Sequence, residues 1–84
     1  MSIPNGYGGN EMDNYYPRLR DLREDHDLTQ QQVADYLHCD QSLYSKYERG
    51  ERAIPLAAMI ALAKLYKTSV DYLAGLTTQR KPYP

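Results

Sequence analysis

The sequence predicts an all-α domain of five short helices folded around one core, and three observations carry that prediction. Apolar residues recur at helical spacing in several separate runs, capping residues and glycines or prolines interrupt those runs at short intervals, and no run alternates apolar with polar residues as a half-buried strand does. A chain of 84 residues suits one small domain with one modest core and no separate substrate domain.

Residues 1–13, MSIPNGYGGNEMD, are rich in Gly and Asn, lack periodicity and carry little apolar surface to offset ordering. They read as a flexible N-terminal arm, with Met12 an alternative start to Met1, and the folded domain is expected over 14–76. The first helix is expected over about 15–25: Asn14 suits a cap, Pro17 is tolerated in a first turn, and Leu19 and Leu22 begin an apolar stripe. Asp27 then takes a turn position that Gly adopts most easily. Thr29 and Gln32 have the spacing of a capping box, in which a hydroxyl and a side-chain amide oxygen accept from free backbone N–H groups. The second helix, starting there, turns Val33, Ala34 and Leu37 to one face. The chain breaks at His38, Cys39 and Asp40, and Asp40 suits the cap of a third helix over about 41–48, ended by Gly50. Pro55 opens a fourth helix with Met59, Ile60, Ala63 and Tyr66 as its buried face. Ser69 caps a short fifth helix that turns Val70 and Leu73 inward and closes at Gly75. Residues 77–84, TTQRKPYP, read as a polar C-terminal tail.

Composition excludes more than it assigns. With 10 basic and 11 acidic residues the formal net charge is −1, so any site for a polyanion must be built from locally placed cations. One cysteine excludes an internal disulfide, and with two histidines it forms no zinc-type spacing, so no metal and no cofactor are expected. No apolar run approaches the roughly 20 residues that span a bilayer, and no charged-then-apolar leader opens the chain, which leads to the expectation of a cytoplasmic protein with no membrane partner. Paired carboxylates, a nucleophile beside a base and a phosphate-cradling Gly loop are all missing from the sequence, so no enzyme is expected. All nine aromatic residues are Tyr, so buried rings must lie near the edge of the core or find hydrogen-bond partners.

The second helix, the three-residue turn and the third helix, with small Ala34 where two helices must approach closely, have the geometry of a helix-turn-helix. The segments LREDHDLTQQQVADYL, QSLYSKYERGERAIP and KTSVDYLAGLT closely resemble the XRE-type helix-turn-helix family, which includes lambda repressor and Cro. They occur in the family's order and at its spacing, from about Arg18 to Thr77. The resemblance implies a lambda-repressor-like DNA-binding domain whose third helix enters the major groove of double-stranded DNA. Its groove-facing positions then fall on Gln41, Ser42, Ser45 and Lys46. Chemistry agrees: a Gln amide bonds adenine N6 and N7 together, Lys donates to guanine O6 and N7, and Ser donates or accepts with either base.

The resemblance also implies a phosphate contact at Gln30 and an ion pair between Arg23 and Glu48 that orients the third helix. Arg49 and Arg52, read as lying in the following loop beside N–H groups freed by Gly50, suit phosphates. Three residues depart from the family pattern. His38 and Asp27 stand where Gly is usual, and Tyr44 stands where Ile or Val is usual, its ring expected inward with the hydroxyl at the rim.

Plainer readings fit the remaining candidates. Cys39 reads as a small buried hydrophobe rather than a nucleophile, His26 as a solvated helix end, and the tyrosines as core or rim rather than a stacking platform. Arg18 and Arg20, with Asp21, Glu24 and Asp25, read as a solvated mixed-charge face. The function expected is a sequence-specific DNA-binding transcriptional regulator, a repressor, working as a homodimer joined around Tyr72, Leu76 and Tyr83. The alternative is an antitoxin that binds a toxin protein and represses its own promoter through the same fold.

Overall fold

A computed structural model of the protein describes residues 14–81. Its elements are α1 (Pro17–Asp25), α2 (Gln30–Leu37), α3 (Gln41–Arg49), α4 (Leu56–Leu65) and α5 (Val70–Leu73), with no strand among the described residues. The expected N-terminal arm and Tyr83 lie outside the described residues.

Local chemistry fixes most of the boundaries. The capping box at α2 is complete: Gln32 N–H donates to Thr29 Oγ1 at 3.0 Å, and Thr29 N–H donates to Gln32 Oε1 at 2.9 Å. Ser69 caps α5, its Oγ accepting from Tyr72 N–H at 3.0 Å. Two caps differ from expectation. The first helix begins at Pro17, not at 15, because the residue before a proline is pushed out of the helical region; Tyr16 sits at φ −124°, ψ 91°. Asn14 therefore lies upstream of the cap position. Asp40 does occupy the N-cap of α3, but its side chain makes no capping hydrogen bond.

The core is formed by Leu19, Leu22, Val33, Ala34, Tyr44, Tyr47, Met59, Leu62, Ala63, Tyr66 and Leu73. On α4 and its C-cap the buried residues are Met59, Leu62, Ala63 and, at the cap, Tyr66, spaced i, i+3, i+4, i+7, and Ile60 falls outside that arc with 41% of its surface exposed. Ile60 was expected inside, so Leu62 takes its place. Arg18 also departs from its expected solvated role. Its Nη1 donates to the carbonyls of Tyr72 at 2.7 Å and Thr77 at 2.6 Å, and its guanidinium lies 3.9 Å from the Tyr72 ring centre. Thr68 Oγ1 donates to the Arg80 carbonyl at 2.5 Å, so the chain beyond α5 folds back across the α4–α5 turn.

Tyrosine supplies the largest buried rings. Tyr44 is fully buried, and its hydroxyl, expected at the rim, is buried with it. It faces the Glu48 carboxylate one helical turn on, close enough to influence its protonation but short of hydrogen-bond geometry. The Tyr66 hydroxyl is also buried without a partner. Burial, followed by the nearby Glu48 charge, pushes the Tyr66 hydroxyl up to about 12 and the Tyr44 hydroxyl higher still.

This arrangement makes the fold sensitive to alkali. Unfolded tyrosine ionises near pH 10, whereas the folded rings hold their protons, so stability is complete below that value and falls above it. Chemical denaturation between pH 9 and 12 is expected to show a loss of about 1.4 kcal/mol per pH unit for each of the two rings above pH 10. Tyr66→Phe should halve that slope; an unchanged slope would contradict this account of the core.

Candidate nucleic-acid interface

The turn between α2 and α3 is built by a residue in a conformation it adopts reluctantly. His38 has φ 60°, ψ 43°, the left-handed region, and its N–H returns to the carbonyls of Ala34 and Asp35. Cys39 N–H also reaches the Ala34 carbonyl, at 2.9 Å. Ala34 is fully buried, and its small side chain lets the two helices approach. The result is helix, short turn, helix, with Cys39 half-buried at the bend.

Packing then divides α3 into two faces. Tyr44, Tyr47 and Glu48 are buried; Gln41, Ser42 and Lys46 are exposed and Ser45 is half-buried. The four outward residues share one side of the helix because the inward ones are committed to the core.

A chain of polar contacts joins that outward face to the interior. Arg23 Nε donates to Glu48 Oε2 at 2.6 Å and its Nη2 to Oε1 at 3.3 Å, while Nη1 donates to the Leu28 carbonyl at 2.8 Å. The pair is nearly dry, with 12% of the Arg23 side chain and 3% of the Glu48 side chain exposed. Gln30, the first residue of α2, donates from Nε2 to Glu48 Oε1 at 3.1 Å. Gln41 in turn donates from Nε2 to Gln30 Oε1 at 2.6 Å. Burial alone would raise the Glu48 carboxyl, but the hydrogen bonds from Arg23 and Gln30, helped by the proximity of the Tyr44 hydroxyl, outweigh it and hold the group below the usual carboxylate range.

The remaining cations differ from their sequence reading. Arg49 is the last residue of α3, not a loop residue, and its guanidinium pairs with Glu51 at 2.7 and 3.1 Å while touching Ser45 Oγ. Its charge is thus largely compensated locally. The N–H groups after Gly50 are not free either: those of Glu51 and Arg52 turn back to the Lys46 carbonyl at 2.9 and 3.4 Å, because the left-handed Gly50 closes the helix end. Arg52 is exposed and forms no ion pair among the described residues.

Between α1 and α3 lies a cleft of about 460 Å³ lined by Tyr15, Arg20, Arg23, Gln30, Ser45, Glu48 and Arg49. Tyr15 was not singled out as a site residue. Its placement depends on Gly50, where an added Cβ would meet Tyr15 Cβ at 3.0 Å, and that contact between distant segments leaves no mark in either one's spacing. Among the described residues no group of three or more His, Cys, Asp or Glu is arranged to hold a metal, and no helix is long and apolar enough to cross a membrane.

The Arg23–Glu48 pair gives two measurable consequences. Replacing one partner leaves the other charge buried, so Arg23→Met should destabilise by about 3–5 kcal/mol in urea denaturation. Arg23→Met with Glu48→Leu should recover most of that loss, and additivity of the two single effects would argue against a coupled pair. For acid the sign is opposite to that of the tyrosines. A carboxyl held low in the fold stabilises above the ordinary glutamate value of about 4.3, and that contribution disappears as pH falls through the lowered folded value. Denaturation midpoints measured from pH 6 down to 2 should therefore drop, and Glu48→Gln should flatten the decline.

The comparisons agree with this geometry. A family model described as helix-turn-helix matches residues 19–73, which contain α1 to α5 apart from the first two residues of α1. The chain is 43% identical over 68 residues to the uncharacterized HTH-type transcriptional regulator YobD of Bacillus subtilis, covering 81% of this chain and 61% of YobD. It is 37% identical over 67 residues to the HTH-type transcriptional regulator AnsR of the same organism, covering 80% of this chain and 58% of AnsR. It is also 37% identical over 58 residues to the cryptic phage CTXphi transcriptional repressor RstR of Vibrio cholerae, covering 69% of this chain and 52% of RstR. The chain therefore spans about half to three fifths of the length of these relatives. No solved structure gives a significant match. With the family model covering most of the chain and the five helices in place, the protein belongs to the XRE-type helix-turn-helix family.

Proposed function

We propose that the protein is a sequence-specific regulator of transcription that binds double-stranded DNA, acts as a repressor, and reads the major groove with α3. The observation that carries this reading is the outward face of α3. Gln41, Ser42, Ser45 and Lys46 are hydrogen-bonding groups with no part in the core, presented by a helix whose other face is held by Tyr44, Tyr47 and Glu48. Each suits a base edge: Gln41 for adenine, Lys46 for guanine, and the two serines for either. Gln30 is the first residue of α2, and its second Nε2 hydrogen, the one not donated to Glu48, suits a phosphate beside the helix N-terminus. Arg52 supplies an uncompensated cation to the backbone, and a phosphate at Arg49 has to compete with Glu51. The repressor role draws on RstR, which is named a repressor.

Binding to two half-sites roughly 34 Å apart requires two copies. Leu76, three residues after the end of α5 and 77% exposed, supports a homodimer contact there together with half-buried Tyr72. With a formal net charge of −1, affinity should be modest and fall as salt rises.

Selection from random duplexes, followed by titration of wild type and variants at several salt concentrations, tests the reading. Gln41→Ala should cost about 1–3 kcal/mol on the preferred site and relax the preference at one position. Arg52→Ala should weaken all duplexes alike and reduce the salt slope by about 0.9. Identical site preferences in wild type and Gln41→Ala would refute Gln41 as a base reader, and absence of any duplex binding at low salt would refute the function.

A further inference from the structure

We infer that Glu48, through Gln30, fixes which way round the Gln41 amide is presented to DNA, so that a buried carboxylate acts as a specificity-setting positioning residue. The inference rests on the reading of Gln41 as a base contact and deepens it.

The argument is one of hydrogen-bond polarity. An ionised carboxylate only accepts, whereas a glutamine amide donates from one end and accepts at the other, with the two ends nearly the same size. Glu48 is buried and held ionised by Arg23, so the Gln30 amide must turn its Nε2 toward Glu48, where it lies 3.1 Å from Oε1. That leaves Gln30 Oε1 pointing outward as an acceptor. Gln41 must then turn its own Nε2 to Gln30, and the contact is 2.6 Å. Each flip along this chain is forbidden by the previous member: turning Gln41 sets oxygen against oxygen at Gln30, and turning Gln30 as well sets oxygen against the Glu48 carboxylate.

The end of the chain faces solvent, where Gln41 is exposed. With one N–H committed to Gln30, its amide offers Oε1 and the second N–H in a fixed order. That pair matches adenine, whose N6 donates and N7 accepts. It also rejects bases that present an acceptor where Oε1 stands, namely guanine O6 and thymine O4. An amide free to turn would meet those acceptors with Nε2 instead. Fixed polarity thus turns a tolerant residue into a selective one. The contribution of Glu48 therefore extends past orienting the helix: the same carboxylate that pairs with Arg23 sets the donor and acceptor pattern of the reading surface.

The test uses duplexes selected by the wild-type chain and their single-base derivatives, with the base preference at each position read as a ratio of dissociation constants. Wild type should prefer adenine at one position by roughly 5- to 150-fold, and Gln41→Ala should abolish that preference. Glu48→Gln, which lets both amides turn, should cut the preference at that position at least threefold and admit guanine or thymine there. It should leave ratios at the other positions unchanged. Gln30→Met interrupts the chain while leaving the Arg23–Glu48 pair in place, and it should have the same effect, so the test stands even where Glu48→Gln folds poorly. In a Gln41→Ala background neither change should alter the ratio further. Retention of the wild-type adenine preference by Gln30→Met, or by folded Glu48→Gln, overturns the inference while leaving Gln41 as a reader. A wild-type preference that survives Gln41→Ala instead removes the underlying reading, and the inference with it.

Discussion

A carboxylate taken out of water in a small helical domain carries a penalty of several kcal/mol unless donors surround it, and much of this structure follows from how Glu48 meets that requirement. Arg23 comes from α1 with two nitrogens, Gln30 comes from the start of α2, and Tyr44 faces it from the preceding turn of α3. Donors from two helices and a nearby hydroxyl from α3 itself converge on one side chain. Apolar packing tolerates sliding and small rotations of a helix, but a bidentate guanidinium–carboxylate contact does not. The angle of α3 against α1 and α2 is therefore set by polar geometry, on top of the contacts made by Leu19, Leu22 and Val33. The net contribution of such a pair to stability is small compared with the cost of breaking it, which makes it better suited to holding an orientation than to holding the fold together.

The all-tyrosine aromatic content takes its meaning from the same place. Phe in the position of Tyr44 would fill the core equally well, yet it would leave Glu48 facing a bare ring edge. The Tyr44 hydroxyl lies near the carboxylate and helps to keep it ionised even without a full hydrogen bond. Tyr66 has no comparable use, since its hydroxyl is buried without a partner. Its ring instead lies 5.0 Å from that of His26 at the end of α1. A core made of a dozen or fewer side chains has little interior that is far from its edge, and this limits the cost of these hydroxyls.

Features set by neighbours in the sequence were the legible ones. The Thr29–Gln32 box, the Ser69 cap, the left-handed His38 and Asp27, and the closing Gly50 each depend on a few adjacent residues, and all lie where the spacing puts them. Long-range geometry was less accessible. Ile60 and Leu62 are both compatible with an apolar stripe, and only the tertiary arrangement of the helices decides that Leu62 is buried and Ile60 exposed. Arg18 and Arg20 are two residues apart on one helix in a run of mixed charge, yet one pairs locally with Glu24 and the other anchors the chain after α5. The difference lies in Tyr72 and Thr77, more than fifty residues away. Within the candidate site, the residue types facing outward on α3 were readable. The pairing of Arg49 with Glu51 was not, because a flexible side chain beside a helix end has several acceptors within reach and periodicity does not rank them.

Charge economy links these details to recognition. A protein that holds DNA mainly through phosphates needs many free cations, and each one strengthens binding to every sequence alike. Here Arg20 is paired with Glu24, Arg23 with Glu48 and Arg49 with Glu51, while Lys46 and Arg52 are exposed and have no ion pair among the described residues. Under the proposed function the non-specific component of binding would be correspondingly low. Discrimination then depends on a few neutral hydrogen-bonding groups being held in the right place and the right polarity, since little general attraction remains to tolerate a mismatch. Under that constraint the proposed reading of DNA by α3 would make the buried Arg23–Glu48–Gln30 assembly part of the reading apparatus. The fewer the contacts that read the sequence, the more rigidly each must be oriented.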